Sequence, residues 1–338
     1  MFQKSLTAVF MLLSFTLAAT ACSNDNPESQ ETAEHVPADK KENQQKEAPE
    51  DDSIQLPQNE LQKTDQGREV TALQEALQKA GYSISTNGTY NDATTWAITD
   101  FQLQQESLTA TGVYNEATRK ALQKILKEGT AVKAGSVLDK PDNSPETIDN
   151  PHDILALVNK ENRLPSEFVP RNLTVPDVRF PFEEFLPKKQ MREVAASALE
   201  DMFKAADSAG LELFAQSGYR SFERQDAIFA SNVRKNGEEA ANKFSARPGE
   251  SEHQTGLTMD ITSPDVDYQL IIEFGQTDEG KWIKKHAAEY GFIIRYPEGK
   301  RAITKYQYEP WHLRYVGKKA AAAIMEQGIT LEEYLGET

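Results

Sequence analysis

The spacing of apolar and polar residues divides the 338-residue chain into five stretches. Leu6 to Leu17 is a continuous apolar run, too short for an ordinary membrane span. Residues 23–66 hold almost no large apolar side chain. Glu, Gln, Asn, Asp, Lys and Pro dominate there, and such a stretch cannot bury enough surface to offset the entropy of ordering, which predicts a disordered tether. Helical spacing begins at 67 and runs to 127, with Val70, Leu73 and Leu77 on one face and Gly81 closing the first helix. Residues 128–150 contain Gly129, Gly135, Pro141 and Pro145 and read as a second linker. From 151 to 338, helical and strand patterns mix.

In that last stretch, residues 188–209 predict a long helix stopped by Gly210, and 211–215 a strand. Residues 221–236 predict a helix with Ser221 as its cap, 257–261 a strand, and 278–290 a helix stopped by Gly291. Short strands follow at 292–296 and 311–316, then a helix through Ile324. Helices and strands without regular βαβ repetition predict an α+β domain. In the strand after Gly256, a period of two puts Leu257, Met259 and Ile261 on one face and Thr258 and Asp260 on the other, so Asp260 points into a cleft. Glu309 precedes Pro310, which disfavours helical backbone at Glu309. A kink at Pro310 would turn Glu309 and His312 to one side and Trp311 to the other.

The stretch 67–127 contains an internal repeat. Gly88-Thr89-Tyr90-Asn91-Asp92-Ala93-Thr94 recurs as Gly112-Val113-Tyr114-Asn115-Glu116-Ala117-Thr118. Asn91 and Asn115 suit N-caps, and Asp92 and Glu116 suit the positive end of a helix dipole. The prediction is a small bundle of three helices with Leu73, Leu77, Ile98 and Phe101 in its core.

The formal net charge of −16 argues against nucleic acid as a partner. Half of it is local: residues 23–66 carry 12 Asp/Glu against 4 Lys/Arg. The one cysteine, Cys22, excludes an intrachain disulfide. It follows a short basic start, the apolar run and a set of small residues, which is the layout of an export signal.

Candidate chemistry lies in two segments. Ser251-Glu252-His253-Gln254-Thr255-Gly256-Leu257-Thr258-Met259-Asp260 and Glu309-Pro310-Trp311-His312 together offer two imidazoles and a carboxylate, three protein ligands for one Zn²⁺. Glu309 adds a carboxylate suited to general base work. Of the five histidines, His35 lies in the tether, His152 at the linker edge and His286 in a lysine-flanked helix. That leaves His253 and His312. Arg220 offers a planar fork that suits a carboxylate or a developing oxyanion.

Three resemblances follow from these residues. The start ending at Cys22 resembles a bacterial lipoprotein signal (residues 1–22), which implies lipidation of Cys22 and anchoring to the outer face of the cell membrane. Gly67, Val70, Leu73-Gln74, Leu77, Gly81-Tyr82, Asn87-Gly88, Thr94, Phe101-Gln102 and the second half from Gly112 to Thr118 resemble the type 1 peptidoglycan-binding module, which implies affinity for the glycan wall. Ser-x-His-x-x-Gly-x-x-x-Asp followed by Glu-x-x-His resembles the VanY-type D-alanyl-D-alanine carboxypeptidases. Gln216 to Ser221, Ser245 to Gly249, Tyr290-Gly291-Phe292 and Arg295-Tyr296-Pro297 extend that match over most of 151–338. It implies zinc ligation by His253, Asp260 and His312, catalysis by Glu309 and Arg220, and substrate contact by Arg220, Gln225 and Ser251. Thr258 departs from the family's usual Ala. The expected protein is a monomeric, membrane-tethered zinc carboxypeptidase acting on peptidoglycan stem peptides. Removal of a terminal D-Ala by D,D-cleavage, L,D-cleavage of tetrapeptide stems, and an inactive wall-binding protein are the readings left open.

Overall fold

A buried glutamine organises each repeat of the N-terminal module. Helices α1 (Arg68–Ala80), α2 (Asp92–Leu103) and α3 (Glu116–Glu128) form the expected bundle. The Asn91 and Asn115 side chains accept from the N–H groups of Thr94 (3.2 Å) and Thr118 (3.0 Å), as N-caps do. From α1, Gln74 donates to Thr89 O and Thr94 Oγ1 and accepts from Gly88 N. From α2, Gln102 does the same for the next turn, through Val113 O, Thr118 Oγ1 and the N–H of Thr111 and Gly112. Leu73, Leu77, Ile98 and Phe101 are fully buried.

The computed structural model describes residues 55–139 and 147–337; the apolar run, Cys22 and the tether up to 54 lie outside the described residues. The folded module starts before 67. Leu56 and Leu61 are buried in its core, Leu61 pairs with Tyr114, and Gln66 pairs with Thr89. Two apolar residues in a polar stretch suffice here because the module supplies the surface that covers them. The expected linker 128–150 is strapped down at its start, where buried Asp100 accepts from Gly135 N and Leu138 N and the Trp96 indole donates to Asp139 O.

The second part opens with two short antiparallel strands, β1 (Leu173–Thr174) and β2 (Met191–Arg192), leading into α4 (Glu193–Ser208). The helix expected at 188–209 therefore begins only at Glu193. A 3-10 turn (Pro187–Lys189) and strand β2 occupy the positions before it. There follow β3 (Phe214–Ser217), α5 (Phe222–Asn236), α6 (Glu238–Phe244), β4 (Thr258–Thr262), α7 (Asp278–His286), β5 (Phe292–Tyr296), α8 (Arg301–Thr304), β6 (Glu309–Tyr315), α9 (Lys318–Gln327) and α10 (Leu331–Leu335). Strands β3–β6 make one antiparallel sheet in the order β3-β4-β6-β5. Leu257, Met259, Ile261 and Leu313 share a buried core with Leu199, Met202 and Phe203 of α4. The fold is α+β, as the pattern predicts.

The module packs directly on this second part. Thr111 O accepts from Ile154 N (3.1 Å), Asn150 donates to Thr99 Oγ1 (2.9 Å), and Arg192 donates to Ala110 O. Among the described residues, no helix is long and apolar enough to cross a membrane.

Candidate active site

The central strands of the sheet carry the site. Asp260 on β4 and His312 on β6 are direct cross-strand partners. The register between β5 and β6 shifts nearby: Ile294 faces Leu313, but Tyr296 faces Glu309. Such an irregularity re-aims side chains. It brings Glu309 Oε2 to 3.7 Å from His312 Nδ1, while Trp311 packs into the core. That is the arrangement expected from the Pro310 kink.

His253 sits in a 3-10 turn (Glu252–Thr255) flanked by Gly249 and Gly256, both with positive φ. Its Nδ1 lies 2.7 Å from the Gly218 carbonyl. A carbonyl only accepts, so Nδ1 carries the proton and Nε2 keeps its lone pair. A side chain at 218 has no room, since a Cβ would lie 2.4 Å from Gln190 O and 2.8 Å from Met259 Cε. His253 Nε2 is 3.5 Å from Asp260 Oδ2, and His312 Nδ1 is 3.2 Å from Asp260 Oδ1. One ligand atom from each of the three lies within 4.8 Å of the others. Asp260 Oδ1 is buried and, among the described residues, has no well-aligned hydrogen-bond donor besides the nearby His312 imidazole. Two imidazoles and a carboxylate oxygen converging in this way fit Zn²⁺ with its fourth position open.

The surroundings push these groups apart in acidity. Burial, with Arg220 nearby, lowers His253 to about 3, so it is neutral. Burial also works against charge on His312, but the Asp260 and Glu252 carboxylates override it and raise it to about 9. Burial lifts Glu309 to about 7; Asp260 adds to the rise, while His312 and Arg220 oppose it.

Arg220, Gln225, Ser251, His253, Glu309 and His312 line one cleft. Arg220 donates to Gln225 Oε1 (2.9 Å) and Ser217 Oγ (3.3 Å), and Gln225 donates to Ala246 O (2.6 Å). Gln225 thus braces the Arg220 guanidinium. The Ser251 hydroxyl lies at the cleft wall.

One residue of the site goes unread in the sequence. Glu252, fully buried, accepts from Arg295 Nε and Arg314 Nη1 at 2.7 Å each, and Arg295 forks onto Glu332. Its other oxygen lies 3.6 Å from His312 Nε2. Despite burial, the two guanidiniums hold this carboxyl well below the usual range. Its position beside His253 is the only sequence signal it gives.

Known proteins match both parts. Residues 188–318 match the family described as VanY, D-alanyl-D-alanine carboxypeptidase, and residues 66–122 match the "Putative peptidoglycan binding domain". The chain is 56% identical over 189 residues to "Putative carboxypeptidase YodJ" of Bacillus subtilis, covering 56% of this chain and 69% of that one. It is 33% identical to the bifunctional D-Ala-D-Ala dipeptidase and carboxypeptidase VanXYC of Enterococcus gallinarum, covering 53% of this chain and 92% of the relative. The solved structure of the LdcB LD-carboxypeptidase is 54% identical, with a TM-score of 0.57, covering 59% of this chain and 93% of that one.

Sheet, cleft and the His253–Asp260–His312 cluster fit an α+β metallopeptidase domain behind a peptidoglycan-binding module. The chain belongs to the VanY family of D-alanyl-D-alanine carboxypeptidases. Both the module and the peptidase resemblances read from the motifs are borne out.

Proposed function

We propose that this protein is a zinc carboxypeptidase that removes the terminal D-Ala from peptidoglycan stem peptides, with His253, Asp260 and His312 as the metal ligands. The convergence of these three side chains beside Glu309 is the observation that carries the reading. Zn²⁺, when bound, polarises a carbonyl and makes water acidic near neutral pH. Glu309 takes a proton from the attacking water and passes it to the leaving amine, a role its place beside His312 in the cleft suits. Arg220, held flat by Gln225 and Ser217, presents its fork to the substrate carboxylate or to the oxyanion that develops at the scissile carbonyl. Ser251 adds a hydroxyl to the same wall of the cleft.

A second reading is L,D-cleavage of tetrapeptide stems, favoured by the 54% identity to an LD-carboxypeptidase. An inactive wall-binding protein is disfavoured by the complete ligand and base set. Mass spectrometry of pentapeptide and tetrapeptide stems after digestion separates these: loss of D-Ala from the pentapeptide alone supports the first reading, and from the tetrapeptide alone the second. Amidation of the terminal carboxylate is expected to abolish most turnover. Equal cleavage of free acid and amide would replace the carboxypeptidase with an endopeptidase.

The organisation that fits this role is an export signal at 1–22, a tether, the module, and the peptidase domain to 338. Lipidated Cys22 holds a monomer on the outer face of the membrane, at the cell wall. Radiolabelled palmitate incorporated into the wild type but not into Cys22→Ala tests the anchor.

A further inference from the structure

The junction between the module and the peptidase domain contains a second cleft, separate from the metal-binding cluster. Gln105 and Thr109 line it from the module, and His152, Arg171, Asn172 and Arg192 from the other side. Arg192 is buried, and its Nη2 donates to Ala110 O, but among the described residues Nη1 has no hydrogen-bond partner. A buried guanidinium N–H without an acceptor is costly. Among the described residues, neither Arg192 nor Arg171 has a carboxylate in ion-pair contact, and Arg171 makes only a long bond to Leu103 O (3.5 Å). Both guanidiniums act on His152 strongly enough to help burial push it down to about 4. Of the acids nearby, Glu106 on the lining is exposed, and buried Asp153 acts on Arg192 without forming an ion pair with it among the described residues.

We propose that this junction cleft binds the free carboxylate of a peptidoglycan stem peptide. The unpartnered Nη1 of Arg192 and the exposed guanidinium of Arg171 supply charged donors that a carboxylate accepts. The side-chain amides of Gln105 and Asn172 and the Thr109 hydroxyl each offer both donor and acceptor. That matches peptide units, which need both; a phosphodiester chain offers acceptors only. Because the lining comes from both parts, the site is complete only in the intact chain. The proposal rests on the wall-binding reading and adds to it a ligand class and a location.

The test uses the intact protein and isothermal titration with three probes: a synthetic stem tripeptide acid, its C-terminal amide, and a glycerol-phosphate oligomer. Arg171 is exposed, so Arg171→Glu keeps the fold, and Gln105→Glu places a like charge on the opposite wall. The tripeptide has no terminal D-Ala to lose, and any binding at the metal cleft is common to all three proteins. The expected result is a binding step for the acid that weakens roughly tenfold or more in each variant, as loss of a charge-assisted bond does, and that the amide lacks in the wild type. Unchanged acid binding in both variants overturns the proposal, as does tighter binding of the phosphate oligomer than of the acid. Retention on isolated sacculi, measured in parallel, keeps the two readings apart. Wild-type retention with unchanged tripeptide binding in the variants sinks this site alone, whereas no wild-type retention sinks the wall-binding reading.

Discussion

Asp260 and His312 face each other across β4 and β6, and Asp260 Oδ1 approaches His312 Nδ1 to 3.2 Å. Two neighbouring strands of a packed sheet thus set the positions of Asp260 and His312, the proposed ligands, while His253 comes from a turn. A site on strands holds its geometry better than one on loops. The turn gains rigidity from Glu252, whose arginine partners Arg295 and Arg314 lie on β5 and β6.

Glu252 therefore links the sheet to the turn that carries His253 and to His312. Glu252→Ala leaves Arg295 with Glu332 alone and Arg314 without its carboxylate. Breaking a buried pair in this way costs ~3–5 kcal/mol. Loss of the carboxylate behind His312 is expected to weaken zinc roughly 10–100-fold. Urea unfolding and chelator competition measure the two effects separately.

Gly218→Ala is expected to destabilise the protein by ~1–3 kcal/mol, because its Cβ collides with the Gln190 carbonyl and Met259. The Gly218 carbonyl orients His253, so zinc should also dissociate faster. Thermal unfolding with and without chelator checks both; wild-type zinc retention in this variant would contradict the orienting role.

Thr258→Ala should behave in the opposite sense. Among the described residues, buried Thr258 Oγ1 has no hydrogen-bond partner, and an unsatisfied buried hydroxyl costs ~1–3 kcal/mol. Removing it is expected to leave stability unchanged or raise it by up to ~1 kcal/mol, since a small void offsets part of the gain. A clear loss of stability in urea would show that the hydroxyl contributes to the site.

His152 makes stability depend on pH. Its folded-state value is about 4 against 6.5 when free, with burial as the main cause and Arg192 and Arg171 adding to it. The unfolded chain thus binds the extra proton first. The contribution is fully present above pH 6.5 and is lost as pH falls through 4. Neighbouring Asp153, raised by burial to about 6, works the other way, favouring the fold at low pH. The wild-type curve alone therefore hides the effect, and the difference from His152→Phe isolates it. That difference is expected to change by on the order of 1–3 kcal/mol between pH 6.5 and 4. A pH-independent difference would refute the assignment.

The legible parts of this protein are those written locally. Ser221 caps α5 at its expected start, and Asn91 and Asn115 cap the two repeat helices. Period two places Asp260, and the Pro310 rule places Glu309 outside a helix. What could not be read depends on partners far along the chain. Strand β2 exists because it pairs with β1, which shortens the helix expected before Glu193. Leu56 and Leu61 look like tether until Tyr114 and the module core cover them. The ion network of Glu252, Arg295, Arg314 and Glu332 joins residues up to 80 positions apart. Charged residues inside apolar strands carry no local mark of their partners.

The most direct test of the central claim is the zinc content of Glu309→Gln and His312→Ala, measured beside turnover of a stem peptide. Glu309 is assigned as base and His312 as ligand. Glu309→Gln should keep one zinc per chain and lose turnover roughly 10²–10⁴-fold, the usual share of a positioned general base. His312→Ala should lose the metal itself. Zinc lost from Glu309→Gln, or full zinc retained by His312→Ala, would contradict the account.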